Sequence, residues 1–230
     1  MKKKIVKKRT RASTGIPAFN KLLSGGFLRG SSVLLIGSPR MGKSLFSSHF
    51  IATDENEIGV YVTTNNLGEN IKKKLLTFRK KFTGLKIVDA YTSTSKKKES
   101  GIIRVGKSNL SDISVALSEI FKAYLNKPLR CVIDSVSNLI IHNSIDDVAN
   151  FLEDVISKFR EKNDVLLLVV EQGMHDEKIY VLLESLTDST IELEKKSDGK
   201  FLKIRGFETE SEKLLEFVPY KITRKGVELK

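Results

Sequence analysis

The sequence predicts an α/β fold in which a mostly parallel, twisted sheet is flanked by helices and ends in an antiparallel C-terminal edge. Short apolar runs alternate with amphipathic stretches along most of the chain, which is the pattern of repeated strand–helix–strand units. The last apolar runs follow one another without a helix between them, so we expect them to pair antiparallel. At 230 residues the chain is long enough for one such domain with a full core.

The individual elements follow from these periodicities. Eight stretches predict strands, at residues 32–36, 59–63, 85–89, 130–133, 165–170, 190–194, 201–205 and 215–222. Six stretches predict helices, at residues 19–23, 43–52, 68–82, 110–125, 145–162 and 180–186. Residues 92–109 are polar, basic and without a period, and therefore predict a surface loop.

A basic arm at residues 1–12 precedes a single domain at residues 13–230. The net charge is +12 at pH 7, and residues 1–11 contain seven Lys or Arg and no acid. Such an arm either binds polyanions by releasing their counterions or is a solvated tail, and both interpretations stay open.

Composition also restricts the compartment and the class of protein. The single cysteine, Cys131, excludes an internal disulfide and fits a reducing cytoplasm. The apolar run at residues 165–170 is far too short to span a bilayer. We therefore expect a cytoplasmic protein without a membrane span.

Residues 37–44, GSPRMGKS, match the phosphate-binding pattern G-x-x-x-x-G-K-[ST] between a predicted strand and a predicted helix. The glycines let successive backbone N–H groups point at phosphate oxygens, and the helix N-terminus adds its positive end. Lys43 can reach the β- and γ-phosphates, and the hydroxyl of Ser44 can bind Mg²⁺. The whole predicted cradle comprises Gly37, Ser38, Pro39, Arg40, Met41, Gly42, Lys43 and Ser44.

Two residues of the cradle depart from the small residues usual between Pro39 and the second glycine. Arg40 and Met41 both have long side chains. A long basic side chain here could face solvent, a neighbouring subunit or the nucleotide, and the sequence leaves these three alternatives open.

A buried strand that ends in a carboxylate, RCVID at residues 130–134, supplies the second signature of a nucleotide site. Asp134 would hold Mg²⁺ through water. Taken alone, Asp134 would be an ordinary strand-end residue that caps a turn, but the intact cradle upstream favours the metal-binding role.

Several further motifs, in order along the chain, resemble the RecA/KaiC-like ATPases, close to archaeal KaiC-like and RadA-paralogue proteins. They are TGIPAFNKLLSGGFLRG (14–30), VIDSVSNLI (132–140), LKIRGFET (202–209) and FVPYKITRKGVELK (217–230). The resemblance covers about residues 13–230 and implies a RecA-like P-loop NTPase core with ATP and Mg²⁺ as cofactors. It also implies assembly into rings or filaments, as a homo-oligomer or with a related paralogue, with ATP at the subunit interfaces.

The resemblance assigns expected roles to three more residues. Lys203 and Arg205 match the positions that reach across to a neighbour's γ-phosphate, and their spacing places both on one face of a strand. The alternative is a solvated face of an edge hairpin. Gln172 matches the polar residue that senses the γ-phosphate, or it is a simple turn amide.

The chain departs from the family pattern at the end of the second predicted strand. The family usually has one or two glutamates there, which orient and polarise the attacking water, whereas this chain has Asn65 and Asn66. An amide can bind water but cannot accept its proton, and loss of a general base typically lowers the rate by roughly 10²–10⁴. Glu69 is a weak candidate to replace the base, or an acid at a helix N-terminus. Asp89 is a weaker candidate still.

Three functions follow as alternatives. The first is a protein that binds Mg·ATP with slow or absent hydrolysis and acts as a nucleotide-gated assembly or regulatory subunit. The second is a recombinase-paralogue accessory of DNA repair that binds single-stranded DNA through the arm and lysines 96–98. The third is an active ATPase whose base lies elsewhere. The Asn pair beside an intact cradle favours the first, and acids after Gln172 count against the second.

Overall fold

Ten strands form one sheet in the computed structural model, which describes residues 10–52, 56–78, 84–92, 100–206, 217–223 and 226–229. The strands are β1 (Arg11–Ala12), β2 (Phe27–Leu28), β3 (Ser32–Gly37), β4 (Ile58–Thr63), β5 (Leu85–Asp89), β6 (Ile102–Arg104), β7 (Leu129–Asp134), β8 (Val165–Glu171), β9 (Ser189–Lys196), β10 (Gly199–Arg205), β11 (Val218–Thr223) and β12 (Gly226–Leu229). The helices are α1 (Pro17–Leu22), α2 (Lys43–Ile51), α3 (Gly68–Phe78), α4 (Leu110–Ala123), α5 (Val136–His142), α6 (Ile145–Glu161) and α7 (Glu177–Leu186).

The sheet has the order β12-β11-β10-β9-β3-β8-β7-β4-β5-β6. Pairing is parallel from β9 through to β6 and antiparallel from β9 out to β12, whereas β1 and β2 form a separate antiparallel pair. The predicted fold class, with a parallel centre and an antiparallel C-terminal edge, is therefore confirmed.

The central strands are apolar and buried along their whole length because helices cover both faces of the sheet. On β3, Leu34 and Ile36 point into one core, which α4, α5, α6 and α7 complete. Val33 and Leu35 point into the other core, which α1, α2, α3 and the C-terminal strands complete. The predicted cradle follows β3 and leads directly into α2, one of the helices that complete the second core.

Most predicted elements match the structure, although β1, β2 and β12 have no counterpart among the eight predicted strands. The prediction of a loop at residues 92–109 is wrong for residues 102–104, because Ile102 and Ile103 pair with Ile87 and Val88 and extend the sheet as β6. α5 was not predicted, because it is only seven residues long and a single residue separates it from β7. α7 begins three residues before the predicted helix, and β8 runs one residue further, to Glu171.

Some predicted features lie outside the described residues. Residues 1–9, which hold most of the basic arm, are among them, as are lysines 96–98 and residues 79–82 of the predicted third helix. Among the described helices, none combines the length and apolar character that crossing a bilayer requires.

Substitution of a buried leucine in the middle of the sheet should be costly. Leu168 of β8 is fully buried between Leu34 of β3 and Ile133 of β7. We expect Leu168→Ala to lower the free energy of unfolding by about 2–5 kcal/mol, because it leaves a cavity that neighbouring strands cannot fill. Leu125→Ala, in an exposed turn where the side chain is 69% exposed, is the control and should change it by less than about 0.5 kcal/mol. Equal losses in denaturant titrations would contradict this account of the core.

Candidate functional site

The cradle is a tight turn between the end of β3 and the start of α2. Gly42 has φ +92° and immediately precedes the helix, in the left-handed region that favours glycine. A Cβ atom at this position would lie 2.8 Å from Cδ1 of Ile222 on β11. The second glycine of the motif is therefore required by its backbone conformation, and a larger residue here would also have to displace the end of the Ile222 side chain.

The structure places the two unusual residues of the cradle in different environments. Arg40 adopts φ +65° and exposes its side chain, whereas Met41 is buried. The backbone of both is tied to the C-terminal strands, because Tyr220 Oη donates to the Met41 oxygen at 2.8 Å and Lys200 Nζ donates to the Arg40 oxygen at 2.8 Å. The cradle is thus held from outside by β10 and β11.

Lys43 lies in the cradle with its side chain only 6% exposed. Its Nζ donates to the backbone oxygens of Gly37 at 2.6 Å and Ser38 at 2.9 Å. It also forms an ion pair with Glu171, with Nζ 2.9 Å from Oε2. The ammonium is therefore turned into the loop, where the motif predicts that phosphates bind.

Glu171 is a residue of the site that the sequence analysis missed. It ends β8, directly opposite Gly37 in the parallel register. The predicted strand ends at Val170, one residue before Glu171. The signal was nevertheless present, because an acid at the carboxyl end of a buried strand is the same pattern that singled out Asp134.

Gln172 lies beside the cradle, as its predicted role requires. Its backbone N–H donates to the Gly37 oxygen at 3.0 Å, and its side-chain Oε1 is 3.4 Å from Ser38 Oγ. The structure therefore brings Gln172 to the phosphate loop, and its function as a sensor stays a prediction.

Asp134 ends β7 and is 97% buried, with a hydrogen bond on each carboxylate oxygen. Tyr61 Oη donates to Oδ2 at 2.5 Å, and Asn65 Nδ2 donates to Oδ1 at 2.9 Å. Burial first, and the charge of Asp134 second, raise the pKa of Tyr61 well above its usual value, so the phenol keeps its proton and donates. Tyr61 is a second residue that the sequence analysis did not identify.

The groups at this edge fit a magnesium ion held with a nucleotide. Carboxylate and hydroxyl oxygens are suitable ligands for Mg²⁺, and each Asp134 oxygen has further lone pairs beyond its one hydrogen bond. Lys74 interacts with both residues that are predicted to bind Mg²⁺. Its Nζ donates to the Ser44 backbone oxygen at 3.2 Å, and its charge interacts with the charge of Asp134. Burial lowers the pKa of Lys74 and the negative charge of Asp134 opposes that shift.

Asn65 and Asn66 are exposed at the turn between β4 and α3. The side-chain amide of Asn65 donates its hydrogen bond to Asp134. The side-chain oxygen of Asn66 accepts from the Leu67 N–H at 2.8 Å and from Asn70 Nδ2 at 3.0 Å. These contacts orient the pair locally, and they supply no group that can take a proton from water.

Glu69 is directed away from the cradle. It lies in the first turn of α3 and forms an ion pair with Arg104 of β6, the edge strand. In the sheet order β6 is the edge strand on the side away from β3, so this ion pair directs the Glu69 carboxylate toward that edge. Asp89 is fully buried and holds the start of α3, because its Oδ2 accepts from the Gly68 N–H at 2.9 Å. These contacts therefore give no support to Glu69 or Asp89 as a substitute for the missing base.

Lys203 and Arg205 alternate along β10 with the buried Leu202 and Ile204, so both lie on the face of the strand that is turned away from the core. Lys203 Nζ lies 5.4 Å from the centroid of the Phe217 ring. Arg205 is 44% exposed and forms ion pairs with Glu184 of α7 at 2.7 Å and Glu192 of β9 at 3.1 Å. Both cations are at the protein surface, and their action on a neighbour's nucleotide stays a prediction.

The fold and the cradle together define a RecA-like protein of the P-loop nucleotide-binding class. The family model for the ATPase KaiC matches residues 12–230 of this chain. The chain therefore belongs to the KaiC family of ATPases, and the predicted resemblance is confirmed.

Individual relatives match parts of this chain. A UPF0273 protein of Methanopyrus kandleri is 30% identical over 142 residues, 51% of this chain and 56% of the relative. A UPF0273 protein of Thermotoga maritima is 32% identical over 144 residues, 57% of each chain. The circadian clock protein KaiC2 of Synechocystis is 25% identical over 203 residues, 80% of this chain and 32% of the relative. The chain thus spans about half the length of the UPF0273 relatives it matches.

A solved structure agrees with the fold over almost the whole chain. The KaiC-like protein of Pyrococcus horikoshii has a TM-score of 0.70 with 22% sequence identity, over 96% of this chain and 99% of that one. At this identity the likeness bears on the fold alone.

The C-terminal hairpin is attached to α2 through His49. Its Nε2 accepts a hydrogen bond from the Val227 N–H at 3.0 Å, which requires a neutral imidazole with that nitrogen unprotonated. Burial lowers the pKa of His49, although a hydrogen bond with the Gly15 backbone opposes the shift. Protonation of His49 should therefore weaken the contact between α2 and β12.

This contact predicts how stability depends on pH. Because the pKa of His49 is lower in the folded protein than its unfolded value of about 6.5, the contribution of His49 to stability falls as the pH drops through about 6.5. We therefore expect the wild-type protein to lose stability relative to His49→Gln on acidification, a comparison that cancels the opposite contribution of Asp164, whose pKa burial raises to about 6. His49→Gln keeps an acceptor without a titrating group, so its decline should be smaller. Identical pH profiles for the two proteins in denaturant titrations would refute the assignment.

Proposed function

We propose that this chain binds Mg·ATP, hydrolyses it slowly or not at all, and acts as a nucleotide-gated assembly or regulatory subunit. The observation that carries the proposal is the turn after β4. There the positions at which the family usually has glutamates are Asn65, which donates to Asp134, and Asn66, which accepts from Leu67 and Asn70.

Binding requires only groups that this chain has. The cradle and Lys43 would hold the phosphates, and the start of α2 adds its backbone N–H groups and positive end. Ser44 and Asp134 would hold Mg²⁺, which neutralises phosphate charge when it is bound. None of these contacts needs a residue that can accept a proton, so affinity does not depend on the missing glutamate.

Hydrolysis has a different requirement, which is a group that orients water and takes its proton. Glu69 is paired with Arg104 on the edge strand. Glu171 ends β8, which is two strands from β4 in the sheet order, about 10 Å from the turn where the family has its glutamates. The described residues at the turn after β4 therefore offer an amide where a carboxylate would be needed, and slow turnover follows.

Gating would act through the surface cations of β10. Lys203 and Arg205 are exposed or half-exposed on the outer face of the C-terminal edge. In a ring or filament they would stabilise the negative charge of a neighbour's bound nucleotide, so that nucleotide binding would favour closure of the interface. Arg205 would then exchange its present partners, Glu184 and Glu192, for phosphate oxygens.

The single-strand-binding alternative rests mainly on residues 1–9 and lysines 96–98, which lie outside the described residues. The segment after Gln172 is largely occupied by α7, and Asp176 and Glu177 are exposed at its start. These acids repel nucleic-acid phosphates, so the described part of the chain favours the regulatory interpretation.

The proposal is tested by measuring bound nucleotide and turnover on the same preparation. We expect the wild-type protein to retain ATP when Mg²⁺ is supplied and to turn it over slowly. Lys43→Ala should lower the affinity by at least about tenfold, because it removes the cation that contacts the phosphates. Strong turnover by the purified wild-type protein would contradict the proposal, as would equal retention of ATP by Lys43→Ala.

A gain-of-function variant makes the test sharper. Asn66→Glu restores a carboxylate at the turn and should raise turnover by about tenfold or more, which is part of the effect of a general base. Asn150→Glu, on the exposed side of α6, makes the same chemical change elsewhere and should leave turnover unaltered. Size measurement with and without ATP should show larger assemblies with ATP, and Arg205→Ala should reduce that difference.

A further inference from the structure

The ammonium group of Lys43 is saturated by contacts within the chain. It has three hydrogens, and three acceptors lie within hydrogen-bond distance: Gly37 O at 2.6 Å, Ser38 O at 2.9 Å and Glu171 Oε2 at 2.9 Å. A phosphate oxygen can therefore gain a hydrogen bond from Lys43 only by displacing one of them.

The three acceptors are not equivalent. Gly37 and Ser38 contribute neutral carbonyls of the loop itself, whereas Glu171 contributes an anionic carboxylate. All three hydrogen bonds are charge-assisted because the donor is an ammonium group, but only Glu171 adds the attraction between opposite charges, so it is the strongest competitor for Lys43. It is also the one that a bound phosphate would repel, because both anions would lie around the same ammonium group.

The backbone of Glu171 is fixed, so its carboxylate is positioned by the fold. Its N–H donates to Ser137 Oγ at 2.9 Å, and its carbonyl accepts from Tyr180 Oη at 2.8 Å. The parallel register sets it opposite Gly37 at the end of β8. Its side chain is 26% exposed and that of Lys43 is 6% exposed, so solvent screens the pair only in part.

We propose that Glu171 sets the affinity and specificity of the nucleotide site, because its carboxylate competes with the β- and γ-phosphates for Lys43. The carboxylate weakens the binding of nucleotides that contain a β-phosphate and leaves the binding of a monophosphate unchanged. It thereby speeds nucleotide release and keeps the site responsive to nucleotide concentration. This inference rests on the proposed function, and it assigns to Glu171 a role distinct from hydrolysis.

The charge of Glu171 is tested with Glu171→Gln, which keeps the shape and a hydrogen-bond acceptor. We expect this variant to bind ATP and ADP roughly tenfold more tightly than wild type in the presence of Mg²⁺, with a slower dissociation rate. AMP should bind equally to both, because Lys43 reaches only the β- and γ-phosphates. Calorimetric titration gives the affinities, and displacement of a fluorescent ATP analogue gives the dissociation rates.

The matched control is Glu153→Gln on the exposed side of α6, which changes the net charge by the same amount and should leave all affinities unaltered. Glu171→Asp keeps the charge but shortens the side chain by one methylene, so it should give a smaller increase in affinity. It also allows the test if Glu171→Gln fails to fold, which a thermal unfolding scan would reveal.

Unchanged or weaker ATP and ADP binding by Glu171→Gln would overturn the proposal. A fall in turnover with unchanged affinity would overturn it too, because Glu171 would then act in hydrolysis. An equal gain for AMP would show that the effect is not directed at Lys43. A different result is expected if the proposed function itself is wrong. In that case neither the wild-type protein nor Lys43→Ala would show measurable binding of ATP.

Discussion

The parallel register of β3, β8, β7 and β4 is the constraint on which the site depends. In this register Gly37 lies opposite Glu171, and Asp134 lies opposite Thr63. Because parallel strands all end at the same edge, this pairing collects the cradle, two carboxylates and the turn after β4 around one place. A shift of one residue along any of these strands would turn its end residue to the other face of the sheet and separate the groups.

The charges at this edge are arranged in pairs that satisfy one another. Lys43 is neutralised by Glu171, and Asp134 receives hydrogen bonds from Tyr61 and Asn65. Partly buried charges are stable only with such partners, so any anion that enters the site must replace an existing contact. If a nucleotide binds here as proposed, it would exchange existing contacts for new ones, and the strength of the internal pairs would help to set the affinity. In the same way, the amide of Asn65 can hold Asp134 without providing a base.

The C-terminal edge of the sheet is mechanically linked to the cradle. Tyr220 holds the backbone of Met41, Ile222 packs on Gly42, and His49 of α2 accepts a hydrogen bond from Val227. The strand that carries Lys203 and Arg205 belongs to the same antiparallel unit. A movement of the cradle would therefore displace the C-terminal strands. The surface cations of these strands are the ones that we propose to act at a subunit interface. This arrangement would provide a short physical path between nucleotide binding and the assembly that we propose.

The parallel α/β core, the cradle, Asp134 and the Asn pair could all be predicted from the amino-acid sequence, because these features depend on local patterns: buried apolar runs, glycine spacing and residues at strand ends. Which distant groups meet at the site depends instead on the packing of the folded chain. The pairing of Lys43 with Glu171 joins residues 128 positions apart, and that of Tyr61 with Asp134 joins residues 73 positions apart. The fold also pairs Glu69 with Arg104, which lies on an edge strand within the segment that was predicted to be a loop. Such contacts are set by strand order and register, which arise from packing of the whole sheet, so no local window of sequence contains them.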